Sequence, residues 1–200
     1  NAQRLFYYNP TTGLARDFAQ NVLSTVTVAV DANGLVYFEV GVNGQADIYA
    51  YDASADEAFA VGTAATDEQI QAVLPDGGLV FSRVGGGGER DLFYYRVATG
   101  LVEIGSDVSL IATQDKSYDG AGTGSQVVFT AEGGGTSLVY AWNPANGQTT
   151  FIGSSPFDSV AAIGAGNEVV LTSPVSGTEI DLALFDLDTN TGSSLRNGSD

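Results

Sequence analysis

The sequence predicts an all-β protein built from one recurring unit. An aromatic residue that closes a short β-branched or aromatic run, just before a turn, occurs five times, as Tyr8, Tyr51, Tyr95, Trp142 and Phe185. These residues are 43, 44, 47 and 43 positions apart. The runs between them are bounded by Gly, Asn, Asp and Pro, as strands and hairpins are. A period of this length made only of strands is typical of a β-propeller, in which each repeat is one four-stranded blade.

Each strand of the unit can be placed relative to the aromatic position. The predicted third strands, which the aromatics close, are Leu5–Tyr8, Asp47–Tyr51, Asp91–Tyr95, Leu138–Trp142 and Asp181–Phe185. The predicted fourth strands, which follow the turns, are Leu14–Phe18, Ala58–Val61, Leu101–Ile104 and Thr149–Ile152. The predicted second strands, which precede Gly-rich loops, are Leu35–Val40, Leu79–Val84, Val127–Glu132 and Val169–Ser173.

The first strand of the unit is the least regular. We place it at Thr25–Val30, Ile70–Leu74, the region around Ser117–Gly120, and Ser159–Ile163. One short helix is also predicted, at Asp67–Val73.

The strand count predicts an incomplete blade. There are five third strands but only four first and second strands, so the chain enters in the middle of a blade. We predict that residues 1–200 form a single domain, a propeller of five blades of four antiparallel strands, with one blade incomplete or shared between the chain ends. The missing strands would come from a further C-terminal segment, from the rest of a longer propeller, or from a neighbouring chain. An open strand edge has unpaired backbone groups, so something should cover it.

The composition favours an acidic globular domain. The chain has 200 residues, 44% of them hydrophobic, and a net charge of −17. This charge disfavours nucleic acid and anionic membrane surfaces as partners, because like charges repel. No run reaches the ~18 apolar residues of a membrane helix, so no membrane insertion is expected. An Asp-rich chain with one lysine and no cysteine fits a secreted bacterial protein, extracellular or periplasmic.

A segment in the middle of the chain matches a known repeat motif. Pro75–Gly78 precedes a strand that includes Phe81-Ser82, and a Gly-rich loop and Asp91–Tyr95 follow. Weaker copies begin at Asp31–Gly34 and Ala165–Asn167. This pattern resembles the TolB-like β-propeller repeat over nearly the whole chain. The resemblance implies a propeller like those of periplasmic interaction proteins and of the non-catalytic domains of some peptidases. It carries over no enzymatic residue, because the matching positions shape turns and strands.

Catalytic chemistry is restricted by what the chain lacks. Without His or Cys, neither a Ser-His-Asp nor a Cys-His arrangement can be built from its residues, and zinc sites based on these ligands are excluded. Paired carboxylates remain, and Glu39, Glu132 and Glu179 lie at or just after second strands. Such carboxylates could hydrolyse glycosides. The simpler interpretation is that they are solvated, and no catalytic residue is predicted.

Cofactor motifs are weak. Asp186, Asp188 and Asn190 begin like a calcium loop, but Thr191 and Asn197 stand where an EF-hand needs Gly and a bidentate Glu. The same residues are expected in the outer hairpin turn of a blade. The Gly-rich loops lack the following helix and the lysine of a phosphate cradle. We therefore expect no cofactor, with calcium as the one alternative left open.

Ligands of propellers are usually held by the loops that join the second and third strands and the successive blades, since function concentrates in loops on a rigid scaffold. These loops are Asn43–Asp47, Gly85–Asp91, Gly133–Ser137 and Val175–Asp181, together with the connection Gly105–Tyr118. The candidate contacts for a ligand or partner are Glu89, Arg90, Lys116, Tyr118 and Glu179.

The function expected from the sequence is a non-catalytic extracellular or periplasmic binding module that holds a protein or glycan at this loop face. One alternative is a structural surface or filament-forming protein, whose incomplete blade is completed by a neighbouring subunit. Others are a lectin with a site at each repeated aromatic, or a carboxylate-dependent glycan-active enzyme. The aromatics are more economically explained by packing between blades, since large rings supply much of the buried area.

Overall fold

The computed structural model describes residues 3–22, 28–31, 34–42, 45–62, 64, 66–109, 126–133, 136–155, 159–163, 168–176 and 179–195. The strands are β1 (Gln3–Asn9), β2 (Leu14–Val22), β3 (Val28–Val30), β4 (Leu35–Val42), β5 (Gln45–Asp52), β6 (Glu57–Gly62), β7 (Glu68–Val73), β8 (Leu79–Val84), β9 (Arg90–Arg96), β10 (Gly100–Gly105), β11 (Val108–Ser109), β12 (Val127–Gly133), β13 (Thr136–Asn143), β14 (Gln148–Ser155), β15 (Ser159–Ile163), β16 (Glu168–Ser176), β17 (Glu179–Asp186) and β18 (Thr191–Ser194). None of the described residues forms a helix that could cross a membrane.

The strands form four antiparallel sheets with the predicted order. Three have four strands each, in the orders β10-β9-β8-β7, β11-β12-β13-β14 and β15-β16-β17-β18. The remaining sheet has six strands, because the four strands β3 to β6 are extended by the hairpin β1–β2. The hairpin joins this sheet through one residue pair, Val22 with Val40. The four-stranded repeat and its extra leading hairpin are therefore confirmed.

The structure differs from the prediction at two strands, β7 and β18, and one predicted strand lies outside the described residues. The helix predicted at Asp67–Val73 is wrong, since Glu68–Val73 is β7, whose residues alternate between more and less buried. Period-two burial is the signature of a strand paired on a sheet, here with β8. Strand β18 was not predicted, because all of its residues are exposed and lack an apolar pattern. The first strand predicted around Ser117–Gly120 lies outside the described residues, and β11 pairs with β12 at that place in the sheet.

The five repeated aromatics share a position but not an environment. Tyr51 and Trp142 are buried, with 2% and 3% of their surfaces exposed, while Tyr95 and Phe185 are half-buried. Tyr8 is 62% exposed. In its strand it is Tyr7 that faces the core, with its ring centroid 6.0 Å from that of Tyr51. The packing role predicted for the aromatics therefore applies to the complete blades and not to the hairpin.

The chain divides into two compact units, Asn1–Gly88 with Leu92–Glu103 and Glu89–Asp91 with Ile104–Asp200. The larger core of the first unit contains Tyr37, Ile48, Ala50, Ile70, Leu79, Phe81 and Phe93. A second core in this unit, of Ala19, Val36, Phe38 and Tyr51, seats the hairpin. The core of the second unit contains Val128, Val139, Ala141, Ile152, Val169 and Leu171. The assignment of residues 1–200 to a single domain stays a prediction.

Buried carboxylates connect neighbouring sheets within the first unit. Glu39 on β4 accepts a hydrogen bond from the backbone N–H of Ile70 on β7, at 2.7 Å. Glu68 on β7 accepts one from the N–H of Ile48 on β5, at 3.2 Å. These two carboxylates are 6% and 1% exposed, so they satisfy strand backbone groups rather than face solvent. Glu39, one of the three carboxylates considered for catalysis, is thus a buried structural group.

Arg83 on β8 completes this arrangement. Its Nε donates to Glu68 Oε1 at 3.0 Å, and a terminal nitrogen lies 2.9 Å from the same oxygen. Its guanidinium carbon lies 4.4 Å from the ring centroid of Phe93 and 5.9 Å from that of Phe81. Burial raises the pKa of Glu68, while the hydrogen bond and the charge of Arg83 oppose that rise. Gly62 is required beside this pair, because a Cβ there would overlap the Glu68 carboxylate.

Candidate functional site

A pocket of ≈ 260 Å³ lies in the second unit, between the connection that leaves β10 and the face of the sheet formed by β12, β13 and β14. Its lining residues are Ile104, Gly105, Ser106, Asp107, Phe129, Ala131, Glu132, Leu138, Tyr140 and Thr149. Gly105, Ser106 and Asp107 belong to the predicted ligand-binding connection Gly105–Tyr118, and Glu132 and Leu138 flank the predicted loop Gly133–Ser137. The pocket therefore coincides with part of that face.

One wall of the pocket is aromatic because of strand register. Phe129 pairs with Tyr140 across β12 and β13, and Tyr140 pairs with Phe151 across β13 and β14. Directly paired residues point to the same face of a sheet, so the three rings form a row. The centroids of Phe129 and Tyr140 are 5.7 Å apart and their planes are 28° apart, a stacked arrangement. The next pair, Tyr140 and Phe151, is edge-on, with centroids 5.8 Å apart.

The opposite wall is held in place by backbone hydrogen bonds of Asp107. Its carbonyl accepts from the N–H of Glu132 at 3.0 Å, and its own N–H donates to Asp91 Oδ1 at 3.3 Å. Asp107 has a φ of 52°, a left-handed conformation in which Asp is more easily accommodated than most residues. Gly105 allows the connection to pass against the aromatic wall, because a Cβ there would overlap the Phe129 ring.

Negative charge at the pocket comes from Asp107, which lines it and is exposed. Glu132 also borders the pocket, but its side chain points to the opposite face of β12 from Phe129 and Ala131, because successive residues of a strand alternate between faces. Glu132 Oε1 accepts a hydrogen bond from Ser137 Oγ at 3.0 Å, and this bond links β12 to β13 beside their turn. An aromatic wall beside a carboxylate suits a ligand with a flat apolar or cationic surface and hydrogen-bond donors.

The residues predicted as ligand contacts are not those that line the pocket. Glu89 is exposed in the β8–β9 turn, and Arg90 is a half-buried first residue of β9; both precede Asp91, which holds the Asp107 turn. Glu179 is the first residue of β17 and pairs with Ser176. Lys116 and Tyr118 lie outside the described residues. The role of these five residues stays a prediction. Asp107, Phe129 and Tyr140 were missed, although the Gly105–Tyr118 connection and Glu132 had been singled out.

The calcium-like segment at Asp186 is a turn in the structure. The Asp186 carboxylate accepts hydrogen bonds from the N–H groups of Asp188, at 2.9 Å, and Thr189, at 3.1 Å, and the second of these is the main reason that its pKa is lowered. Side chains that follow the other repeated aromatics cap their turns in the same way, namely Asn9, Asp52 and Asn143. In the part of the chain that the structure describes, no group of three or more acidic side chains is placed to hold a metal ion. Whether calcium binds stays untested.

Comparison with known proteins bears on the fold. No protein-family profile matches the sequence, and no curated protein matches it. Among solved structures, a prolyl endopeptidase superposes with a TM-score of 0.58 and 13% identity, over 98% of this chain and 33% of that chain. A second similar structure is the β-propeller domain of the Trilobed protease from Pyrococcus furiosus, which is described as having an open velcro topology. Its TM-score is 0.53 and its sequence identity is 11%, over 86% of this chain and 57% of that chain. The fold is a β-propeller.

A third similar structure is a putative TolB from Agrobacterium tumefaciens, with a TM-score of 0.47 and 14% identity, over 96% of this chain and 80% of that chain. The chain spans only 33% of the prolyl endopeptidase and 48% of TolB from Acinetobacter baumannii. At these identities the similarity establishes the propeller fold alone.

Proposed function

We propose that this propeller is a non-catalytic binding module, extracellular or periplasmic, that holds a partner in the pocket beside β12. The observation that carries the proposal is the pocket itself, with an aromatic wall on rigid strands and the Asp107 carboxylate on the connection. Concave, largely preformed sites with a few convergent polar groups are the usual form of ligand sites. A lysine-poor chain with a net charge of −17 and no cysteine supports the location.

A binding role is favoured over catalysis by the residues present. The chain has neither His nor Cys for nucleophilic catalysis. Of the carboxylates considered for glycoside hydrolysis, Glu39 is buried and satisfies a strand N–H. The β-propeller of the Trilobed protease is a domain of a larger protein, and a chain that spans a third of a prolyl endopeptidase fits such a domain. The proposed binding role applies in either setting.

Filling the pocket with tryptophan tests this proposal. Thr149 is exposed and lines the pocket, so Thr149→Trp should block the pocket without disturbing the core. The probes are an array of neutral oligosaccharides, acidic peptides and basic peptides of defined sequence. We expect at least one probe to bind the unmodified chain and to bind Thr149→Trp about tenfold more weakly or worse.

The control is Thr191→Trp, which places the same side chain on an exposed threonine of β18, far along the sequence from the pocket. It should bind the same probes as the unmodified chain. Binding that is equal in all three proteins, or absent from all three, would show that the pocket is not a ligand site.

A second candidate function, self-association, is favoured by the hairpin β1–β2. Phe6 and Tyr8 are each 62% exposed on one face of β1, and Leu14 on β2 is 55% exposed. Among the described residues, β1 pairs with β2 alone, which leaves its other edge open. Open edges with exposed apolar side chains are sites at which strands of another chain can be added.

Light scattering after size exclusion tests self-association. If the hairpin recruits a second copy, the unmodified chain should run as dimers or larger species, and Phe6→Ser/Tyr8→Ser should shift it to the monomer mass. Val97→Ser, in an exposed turn, changes an equally exposed apolar residue and should leave the mass unchanged. A monomeric unmodified chain would exclude this second function and leave the pocket proposal intact.

A further inference from the structure

We infer that the pocket beside β12 takes the guanidinium group of an arginine side chain presented by a partner polypeptide. The inference rests on the proposed binding function and names its ligand chemistry. It comes from comparing two repeats of the same chain, the sheet β7–β10 and the sheet β11–β14. One repeat contains an arginine at the position where the other has the pocket.

The two sheets correspond residue by residue around this place. In the first, the N–H of Val84 donates to the carbonyl of Asp67 at 3.0 Å; in the second, the N–H of Glu132 donates to the carbonyl of Asp107 at 3.0 Å. The next cross-strand pair in the first sheet is Glu68 with Arg83, and the next pair in the second sheet is Val108 with Ala131. Ala131 is therefore the counterpart of Arg83.

The aromatic residues beneath these positions also correspond. Phe81 and Phe93 stack with centroids 5.4 Å apart, and their counterparts Phe129 and Tyr140 stack with centroids 5.7 Å apart. In the first sheet the Arg83 guanidinium lies against this pair, 4.4 Å from the Phe93 centroid. In the second sheet the counterpart of Arg83 is Ala131, whose side chain is only a methyl group. Ala131, Phe129 and Tyr140 all line the pocket. The pocket is thus the place that an arginine side chain occupies in the neighbouring repeat.

Charge complements this shape. Glu68 pairs with Arg83 in the first sheet, and its counterpart Val108 is apolar, but the neighbouring Asp107 supplies a carboxylate at the pocket instead. A guanidinium stacks on aromatic faces and forms paired hydrogen bonds with carboxylates, which an ammonium group does less well. The net charge of −17 also attracts basic partners over a distance.

The size of the pocket favours one side chain over a larger ligand. Its volume of ≈ 260 Å³ is below the roughly 300–1,000 Å³ of sites for drug-sized molecules. A single arginine on an exposed segment of a partner would fill it, and further contacts would come from the surrounding surface.

Calorimetric titration with matched peptides tests the inference. The probes are the blocked tripeptide Gly-Arg-Gly, the same peptide with neutral citrulline in place of arginine, and the same peptide with lysine. We expect the arginine peptide to bind one site per chain, and the citrulline peptide to bind about tenfold more weakly or worse. The lysine peptide should lie between them.

Two kinds of variant distinguish binding in the pocket from nonspecific attraction of the peptide to the acidic surface. Ala131→Arg places the chain's own guanidinium over Phe129 and Tyr140, as Arg83 is placed in the other sheet, and should abolish binding of the arginine peptide. Ala98→Arg adds the same charge in an exposed turn and should leave most of the binding intact. Asp107→Asn keeps the shape of the side chain and tolerates the left-handed backbone there. It should weaken binding about three- to tenfold, and it provides the test if Ala131→Arg does not fold.

The outcomes distinguish this inference from the proposed function. Equal binding of the arginine and citrulline peptides, or equal binding of the arginine peptide to the unmodified chain and to Ala131→Arg, would overturn the guanidinium assignment. If another probe on the array still needs an open pocket, as judged by Thr149→Trp, the binding function survives with a different ligand. If no probe depends on the pocket, both fail together.

Discussion

Replacing Tyr51 by alanine is expected to lower the free energy of unfolding by about 3–5 kcal/mol, the usual loss when a fully buried aromatic residue is truncated. Tyr51 is 2% exposed, and its ring stacks on Phe18 with centroids 4.5 Å apart. Its hydroxyl donates to Asp56 Oδ1 at 2.8 Å. The substitution removes the centre of the core that seats the hairpin β1–β2, so the hairpin should loosen first. Urea unfolding monitored by circular dichroism measures the loss.

The matched control is Tyr8→Ala, at the same position of the repeat in the leading hairpin. Because Tyr8 is 62% exposed, this change should alter the free energy of unfolding by no more than about 0.5 kcal/mol. Because both variants remove a tyrosine from the same position of the repeat, a difference in stability between them reflects how deeply each ring is buried. Similar losses for the two variants would mean that the packing assigned to this hairpin is incorrect.

Replacing Arg83 by alanine should cost about 3–5 kcal/mol, because it leaves the buried Glu68 carboxylate without its charged partner. The Glu68 side chain is 0% exposed, and the substitution also removes the stacking of Arg83 on Phe93. Arg96→Ala is the control, since Arg96 is exposed and its loss should be within about 0.5 kcal/mol.

Two further measurements on Arg83→Ala identify the cause of the loss. Adding Glu68→Gln should recover part of the stability, because it removes the unpaired charge. Burial already raises the pKa of Glu68, and the loss of Arg83 raises it further. Protonated Glu68 carries no buried charge, so the deficit of Arg83→Ala should be smallest below the ordinary carboxyl pKa and grow as the pH rises. If the stability loss of Arg83→Ala changes neither with Glu68→Gln nor with pH, it comes from lost packing alone.

Much of the fold could be predicted from local patterns in the sequence. The third strands were found because each ends in an aromatic before a turn, and the Asx capping of Asn9, Asp52, Asn143 and Asp186 explains why that turn recurs. The leading hairpin was found by counting strands. The start of β7 was mistaken for a helix because its buried face includes the charged Glu68, so the sequence does not show the alternation that the burial pattern has.

The pocket could be predicted only in part. The loops around Asp107 and Glu132 were identified as a ligand face from the position of such loops in propellers. The aromatic wall was not, because the stacking of Phe129 on Tyr140 depends on the cross-strand register, which single strands do not reveal. The correspondence of Ala131 with Arg83 likewise becomes visible only when the hydrogen bonds of the two sheets are compared.

The central claim, that a partner's arginine enters the pocket beside β12, is tested most directly by nuclear magnetic resonance. The isotope-labelled chain would be titrated with the blocked Gly-Arg-Gly peptide while its backbone amide signals are followed. If the arginine enters the pocket, we expect saturable shifts concentrated at Gly105–Asp107 and at Ala131 and Glu132, and we expect them to be lost in Ala131→Arg. Shifts scattered over the acidic surface, centred on the hairpin β1–β2, or unchanged in Ala131→Arg would contradict it.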